Sequence, residues 1–180
     1  MRTAFFAFRS ATGTYASSTS YYLWIAGYFG DTASTTEAAG QIPLRVDGAL
    51  SGLHVLVTQN DKATSSLTLR KNGADGNITV SITGSTTGTF EDTTHTDSIT
   101  AGDLVTWRLT VGSGGTVFSL GVARVHFTPN DGTVTMTRLS VNGSLSLNDG
   151  NTVYFGLNGI VGGVAASAVE SAHTQTFRLA

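Results

Sequence analysis

The sequence predicts an all-β protein, an antiparallel β-sandwich or jelly roll. Three observations carry that expectation. Apolar and polar residues alternate with a period of two along most of the chain. Asn-Gly and Asp-Gly pairs punctuate the alternating runs. The one stretch with helical character, VGGVAASAVESA at 161–172, is weakened by its glycines. Many short strands joined by regular turns point to two packed sheets.

Taken in order, the opening MRTAFFAFRSATG holds an apolar run, Ala4 to Phe8, closed by Arg9. That run is too short for the core of a signal peptide, and a first strand is expected at 3–9. The alternative is an aromatic arm in which Phe5, Phe6 and Phe8 dock on a partner. A second strand, 20–28, is crowded with Tyr21, Tyr22, Trp24, Tyr28 and Phe29, so both of its faces are bulky. One face packs the core, and the other must meet a second sheet, a subunit or a sugar ring. Strands follow at 42–47 and 50–59.

The central runs are the clearest. SLTLR sets Leu67 and Leu69 against Ser66, Thr68 and Arg70, and NITVSIT sets Ile78, Val80 and Ile82 against Thr79, Ser81 and Thr83. DLVTWRLTV sets Val105, Trp107, Leu109 and Val111 against Thr106, Arg108 and Thr110. These give strands at 65–71, 77–83 and 104–111, each with one dry and one wet face. Further strands are expected at 94–99, 116–127, 133–141, 151–156 and 174–179. The turn pairs are Asn72-Gly73, Asp75-Gly76, Asp131-Gly132, Asn142-Gly143 and Asp149-Gly150, in which Gly accepts positive φ without strain and Asn or Asp tolerates it.

The connection RKNGADGN, 70–77, looks at first like a ligand-gripping loop. A phosphate loop needs Gly-Lys-Ser or Gly-Lys-Thr before a helix. Here Lys71 precedes the glycines and a strand follows. The acidic ladder and terminal Glu of a calcium loop are missing too. The segment reads as a hairpin corner.

Composition limits the chemistry. Only 12% of the 180 residues are charged, against about 25% in an average protein. The formal net charge is -2 and there is no Cys. Such a surface steers weakly toward nucleic acid or anionic lipid, and no apolar run approaches the roughly 20 residues of a membrane helix. Neither nucleic acid nor membrane is expected as a partner. His54, His95, His126 and His173 are scattered, without the i, i+2 or i, i+4 spacing of common metal ligands. The acids Glu37, Glu91, Asp92, Asp97, Asp103, Asp131, Asp149 and Glu170 read as solvated turn residues rather than an acid pair for glycan hydrolysis. There is no G-x-S-x-G elbow. No catalytic, cofactor-binding or metal-binding residue is assigned, and no enzyme is expected.

The middle of the chain carries ALSGLHVLV, LRKNG, ITG, DTTH and AGDLV in that order. It resembles β-rich structural proteins of tailed bacteriophages and related prophage genes over residues 22–127. The resemblance implies a jelly roll of the tumour-necrosis-factor type, usually trimeric, placed on the virion as a capsid decoration (cement) protein or in a fibre. It brings no catalytic residues with it.

The domain expectation is a jelly-roll body at 1–127 and a C-terminal β extension at 128–180, packed on the same body or on a neighbouring subunit. A faint echo aligns Tyr22 with Tyr154, Gly27 with Gly159, Gly30 with Gly162 and Ala33 with Ala165. If it is a repeat, the last strand adds to a sheet edge. The functional expectation is a virion protein, assembled in the host cytoplasm, that trimerises and binds the major capsid protein or other virion proteins. Its candidate interface is Phe5, Phe6, Phe8, Tyr21, Tyr22, Trp24, Tyr28 and Phe29. The alternatives are a host-surface or glycan-binding fibre tip and, third, a polysaccharide depolymerase.

Overall fold

The alternating runs become strands that wind between two sheets. The computed structural model describes residues 4–10, 15–29, 33–131, 140–141 and 160–161. In chain order the elements are β1 (Ala4–Ser10), β2 (Ser20–Leu23), β3 (Gly27–Phe29), α1 (Glu37–Gly40), β4 (Ile42–Pro43), β5 (Gly48–Asn60) and β6 (Ser65–Lys71). They continue as β7 (Ala74–Ile82), β8 (Gly88–Ile99), β9 (Leu104–Thr110), β10 (Phe118–Pro129), β11 (Ser140–Val141) and β12 (Ile160–Val161).

The first sheet has the order β3-β1-β10-β5-β8, and the second β2-β9-β6-β7 with β4 also paired to β9. Number the eight main strands β1, β2 and β5–β10 from first to eighth. The sheets then run first-eighth-third-sixth and second-seventh-fourth-fifth. That is the winding of a jelly roll, in which the chain crosses between sheets at every step except one hairpin.

The hairpin is the RKNGADGN corner. Lys71 pairs with Ala74 across a two-residue turn, where Asn72 and Gly73 have φ of 51° and 83°. Two consecutive positive φ values make a type I′ turn, whose twist matches that of the strands. Asp75-Gly76, expected to be a second turn, lies inside β7 instead. There the register slips between Thr68 and Arg70, leaving a bulge with backbone amides unpaired with β6.

Three expectations change in detail. The strand at 20–28 divides into β2 and β3, which belong to different sheets; β3 runs parallel to β1, with Phe8 opposite Gly27. The strand at 94–99 begins at Gly88, and the one at 42–47 shrinks to Ile42–Pro43. The helix α1 was not expected: four residues show no periodicity, and Thr36 at its N-cap makes no side-chain capping bond. β10 carries the body to Pro129. Of the proposed extension 128–180, the later strands and the stretch 161–172 lie outside the described residues, apart from the short parallel pair β11–β12.

The core fills the space between the sheets. Leu67 lies between Leu109 and Val80 in the second sheet, and Leu69 beside Trp107. From the first sheet come Leu50, Leu53, Val55, Val57, Val125 and Phe127. Trp107, Phe118 and Phe127 are the largest fully buried side chains. Burial of each large apolar side chain stabilises the fold by about 1.5–3 kcal/mol, so this core suffices without disulfides.

Candidate functional site

Phe6 belongs to the core: it is 7% exposed, and its ring packs on Phe127 at 5.8 Å. This corrects its assignment to an interface, because β1 is an inner strand of the first sheet and turns Phe6 inward beside Val125. Phe5 pairs with His126 and Phe8 with Ala123 in the backbone register. The side chains of Phe5, Phe8, Tyr28 and Phe29 lie outside the described residues.

The other aromatics are largely satisfied within the chain. Tyr21 stacks edge-on against buried Tyr15 at 5.0 Å, and its hydroxyl accepts the Ala16 N–H. Trp24 packs against the core, and its indole Nε1 donates to the Ala39 carbonyl at 2.8 Å. The backbone of Tyr22 donates to Ser34. The second bulky face of this segment therefore meets the chain's own strap, residues 33–44, which carries α1. A Cβ at Gly40 would stand 2.6 Å from Thr106 Oγ1 and 3.1 Å from Tyr22; only glycine lets α1 sit that close to β9 and β2.

The strap is pinned by charge. Arg70 holds Glu37 with two bonds, Nε to Oε1 at 3.0 Å and Nη2 to Oε2 at 2.9 Å. It also donates to Asp75 at 2.6 Å and to the Gly73 carbonyl. Arg108 reaches the other Asp75 oxygen at 2.9 Å. Chiefly through the Arg70 hydrogen bond, the Asp75 carboxyl is held below the usual range despite partial desolvation. Two cations and two anions balance here, which gives a fastening rather than a site of net charge.

The other side chains of the corner also point to its neighbours. Lys71 Nζ donates to the Ser98 carbonyl at 2.9 Å. Asn72 exchanges bonds with Asp103 and the Leu104 N–H at 2.7 and 2.8 Å. The Thr100 N–H, first, and Asn72 lower the Asp103 carboxyl. RKNGADGN is a corner whose polar side chains stitch it to the β8–β9 turn.

Two acids read as solvated are buried: Asp92 is 6% exposed and Asp97 3%. Both lie on β8, the edge of the first sheet, and face β7, the edge of the second. Asp97 accepts the N–H groups of Asn77 and Ile78, each at 2.9 Å, and the Asn77 amide at 3.0 Å. Those are amides of the β7 bulge. Asp92 accepts the Thr79 N–H at 3.0 Å, the Thr94 and His95 N–H groups, and the His95 ring Nδ1 at 2.9 Å. Burial by itself raises the Asp92 pKa, but the Thr79 and His95 amides, the His95 ring and the Thr94 amide outweigh it and bring it to about 2. An acid held this way is a backbone acceptor, not a proton donor. Both occupy inward positions of β8, where a carboxylate must find partners; five residues apart, they share that face only because the register shifts between Ser51 and Leu53, so alternation alone does not reveal them.

His95 is exposed at this corner. His54 Nδ1 meets Glu91 Oε2 at 3.0 Å, and His126 lies between Phe5 and Ser51 in the register. His173 lies outside the described residues. Among the described residues no three His, Asp or Glu side chains gather as metal ligands. An open cleft at one end is lined by Arg45, Asp47, Ala101, Asn130 and Asp131, with Asp47 occupied by the Ala101 N–H at 2.7 Å.

The two outer faces differ. On the second sheet, hydroxyls run across the strands as Ser20, Thr110, Ser66 and Ser81; the next row places Tyr22, Arg108, Thr68 and Thr79 side by side. On the first sheet, one row reads Arg124, His54, Glu91 and the next Val122, Leu56, Thr89. Val122 and Leu56 are each 39% exposed, large for side chains of this kind. No helix among the described residues is long and apolar enough to cross a membrane. No family model and no curated protein matches the chain.

Proposed function

We propose that the protein is a non-enzymatic structural component of a tailed-phage virion: a capsid decoration protein that binds and stabilises the head shell, acting as a trimer. The observation that carries this reading is the hydroxyl lattice on the second sheet, Ser20–Thr110–Ser66–Ser81 with Thr79 beside it. A neutral array of donors and acceptors suits adhesion to a protein lattice, where many modest contacts add up and salt matters little. The jelly-roll winding agrees with the family that the LRKNG, DTTH and AGDLV motifs resemble.

The enzyme alternative finds little support in the carboxylates. Asp92 and Asp97 are engaged by backbone donors, and a general acid needs its pKa raised rather than lowered. A glycan-binding tip needs an exposed ring, whereas each aromatic side chain among the described residues is buried or partly covered.

The test is copy number in purified particles of the phage or prophage that carries the gene, by quantitative mass spectrometry. Decoration gives a number matched to the icosahedral lattice. A few copies per particle moves the protein to a fibre, and absence from the particle overturns the proposal.

A further inference from the structure

The first sheet carries an outer face with a built-in partner. Across β10, β5 and β8 its central row is Arg124, His54, Glu91: a cation on one side and an anion on the other. The adjacent row puts Val122 beside Leu56. These are two of the three large apolar side chains that are most exposed among the described residues. Gly121 gives Leu56 room, since a Cβ there would lie 3.2 Å from its Cδ2. Arg124 is exposed and has no ion-pair partner among the described residues. Glu91, at 55% side-chain exposure, has one oxygen on His54. Exposed apolar neighbours rimmed by unspent charge mark an interface.

We propose that this face binds a second copy of the same chain, face to face about a two-fold axis running along β5. The charge order selects the axis. Rotation about β5 keeps Leu56 over Leu56 and lays Arg124 of each copy on Glu91 of the other, forming two symmetric ion pairs. An in-plane axis across the strands instead lays Arg124 on Arg124 and Glu91 on Glu91. A self-complementary patch of this kind is what an isologous contact requires. Facing sheets stand about 10 Å apart, within reach of Arg and Glu side chains meeting between them.

Only β10, β5 and β8 overlap about that axis, since β8 is the sheet edge; at about 4.8 Å spacing and about eight residues in length they offer roughly 400 Å² per copy. That is roughly 800 Å² in total, in the range of weak and transient contacts. The association is therefore weak and salt-sensitive. It differs from the threefold assembly proposed above and would join two such assemblies.

The experiment is sedimentation equilibrium over a concentration series, with the full chain and three variants: Arg124→Glu, Glu91→Arg, and the two together. The expected result is a mass that doubles over that of the unit present at low concentration. Each single reversal weakens the association about tenfold or more, because it places like charges in contact at both symmetric positions. The double variant restores it, because the pairs re-form with their signs exchanged. All three variants are surface changes on a strand face, and circular dichroism confirms that each is folded. The proposal is overturned by a mass that never doubles, by single variants that associate like the parent, or by a double variant that stays dissociated. It is also overturned if the single variants lose binding to phage heads while self-association is unchanged, since the face then belongs to the capsid.

Discussion

Asp97 on β8 accepts the backbone N–H of Ile78 on β7 at 2.9 Å, so the edges of the two sheets are joined by a side chain where no backbone ladder connects them. The same carboxylate holds both the backbone and the side-chain amide of Asn77. Gly76 makes the approach possible, because a Cβ there would stand 2.6 Å from Asp97 Oδ2.

Asp97→Ala should strand these bulge amides in a buried place and cost about 2–4 kcal/mol. Urea denaturation measures it. Gly76→Ala should lose a comparable amount by displacing the carboxylate. Gly73→Ala, with open space around it but φ of 83°, should cost only about 1 kcal/mol. If Gly76→Ala proves as mild as Gly73→Ala, the close approach of Asp97 is not needed for stability.

Asp92 makes the fold acid-sensitive. Its folded pKa of about 2 lies below its ordinary value of 3.8, so its contribution is complete above pH 4 and is lost as pH falls through 2. The shift corresponds to about 2 kcal/mol. Stability measured from pH 5 to pH 2 should fall by that amount more in the parent than in Asp92→Asn, which should already be weaker at pH 7. Parallel curves would exclude the assignment.

Lys62 is a buried cation, 2% exposed, whose Nζ donates to Ser17 Oγ at 2.9 Å and the Gly115 carbonyl at 2.8 Å. Beside it, Asp61 accepts the N–H groups of Thr116 and Val117, which lower its carboxyl. Lys62→Met keeps the stem and removes the ammonium, at an expected cost of about 1–3 kcal/mol. Hydrogen exchange should quicken at Thr116 and Val117, which border the released loop, and stay unchanged in β6.

Glu37→Ala should free the strap without unfolding the sandwich. A partly exposed bidentate pair is worth about 1 kcal/mol, so the denaturation midpoint should move little. The fluorescence should change more. Trp24 loses its bond to Ala39 as α1 lifts and its emission shifts to the red, against a steady signal from Trp107 at 1% exposure. An unchanged spectrum would mean that the strap is held by packing alone.

The sheet architecture was legible wherever one face of a strand is uniformly apolar. Strand β6 matches its expected span, and the type I′ turn at Asn72-Gly73 follows from its residue types. Legibility failed where the inward face turns polar. β8 looked short because its inward positions include Asp92 and Asp97 and a bulge breaks its period near Gly52, whose φ is 63°. The crowding of Tyr21, Tyr22 and Trp24 correctly signalled a second contact but could not say that a four-residue helix from the same chain supplies it. The row of Arg124, His54 and Glu91 was hidden for another reason: its members are more than 30 positions apart and meet only through register.

An open strand border is an invitation to fibrils, and most of these folds blunt it with lysines or a proline. Here the donors on the free side of β7 are handed to aspartates, so a stray extended peptide finds acceptors already seated where it would need to bond. At Thr79 the protection lasts only as long as the Asp92 carboxylate stays unprotonated. In strong acid the border reopens, and amyloid growth should start there before the core has melted.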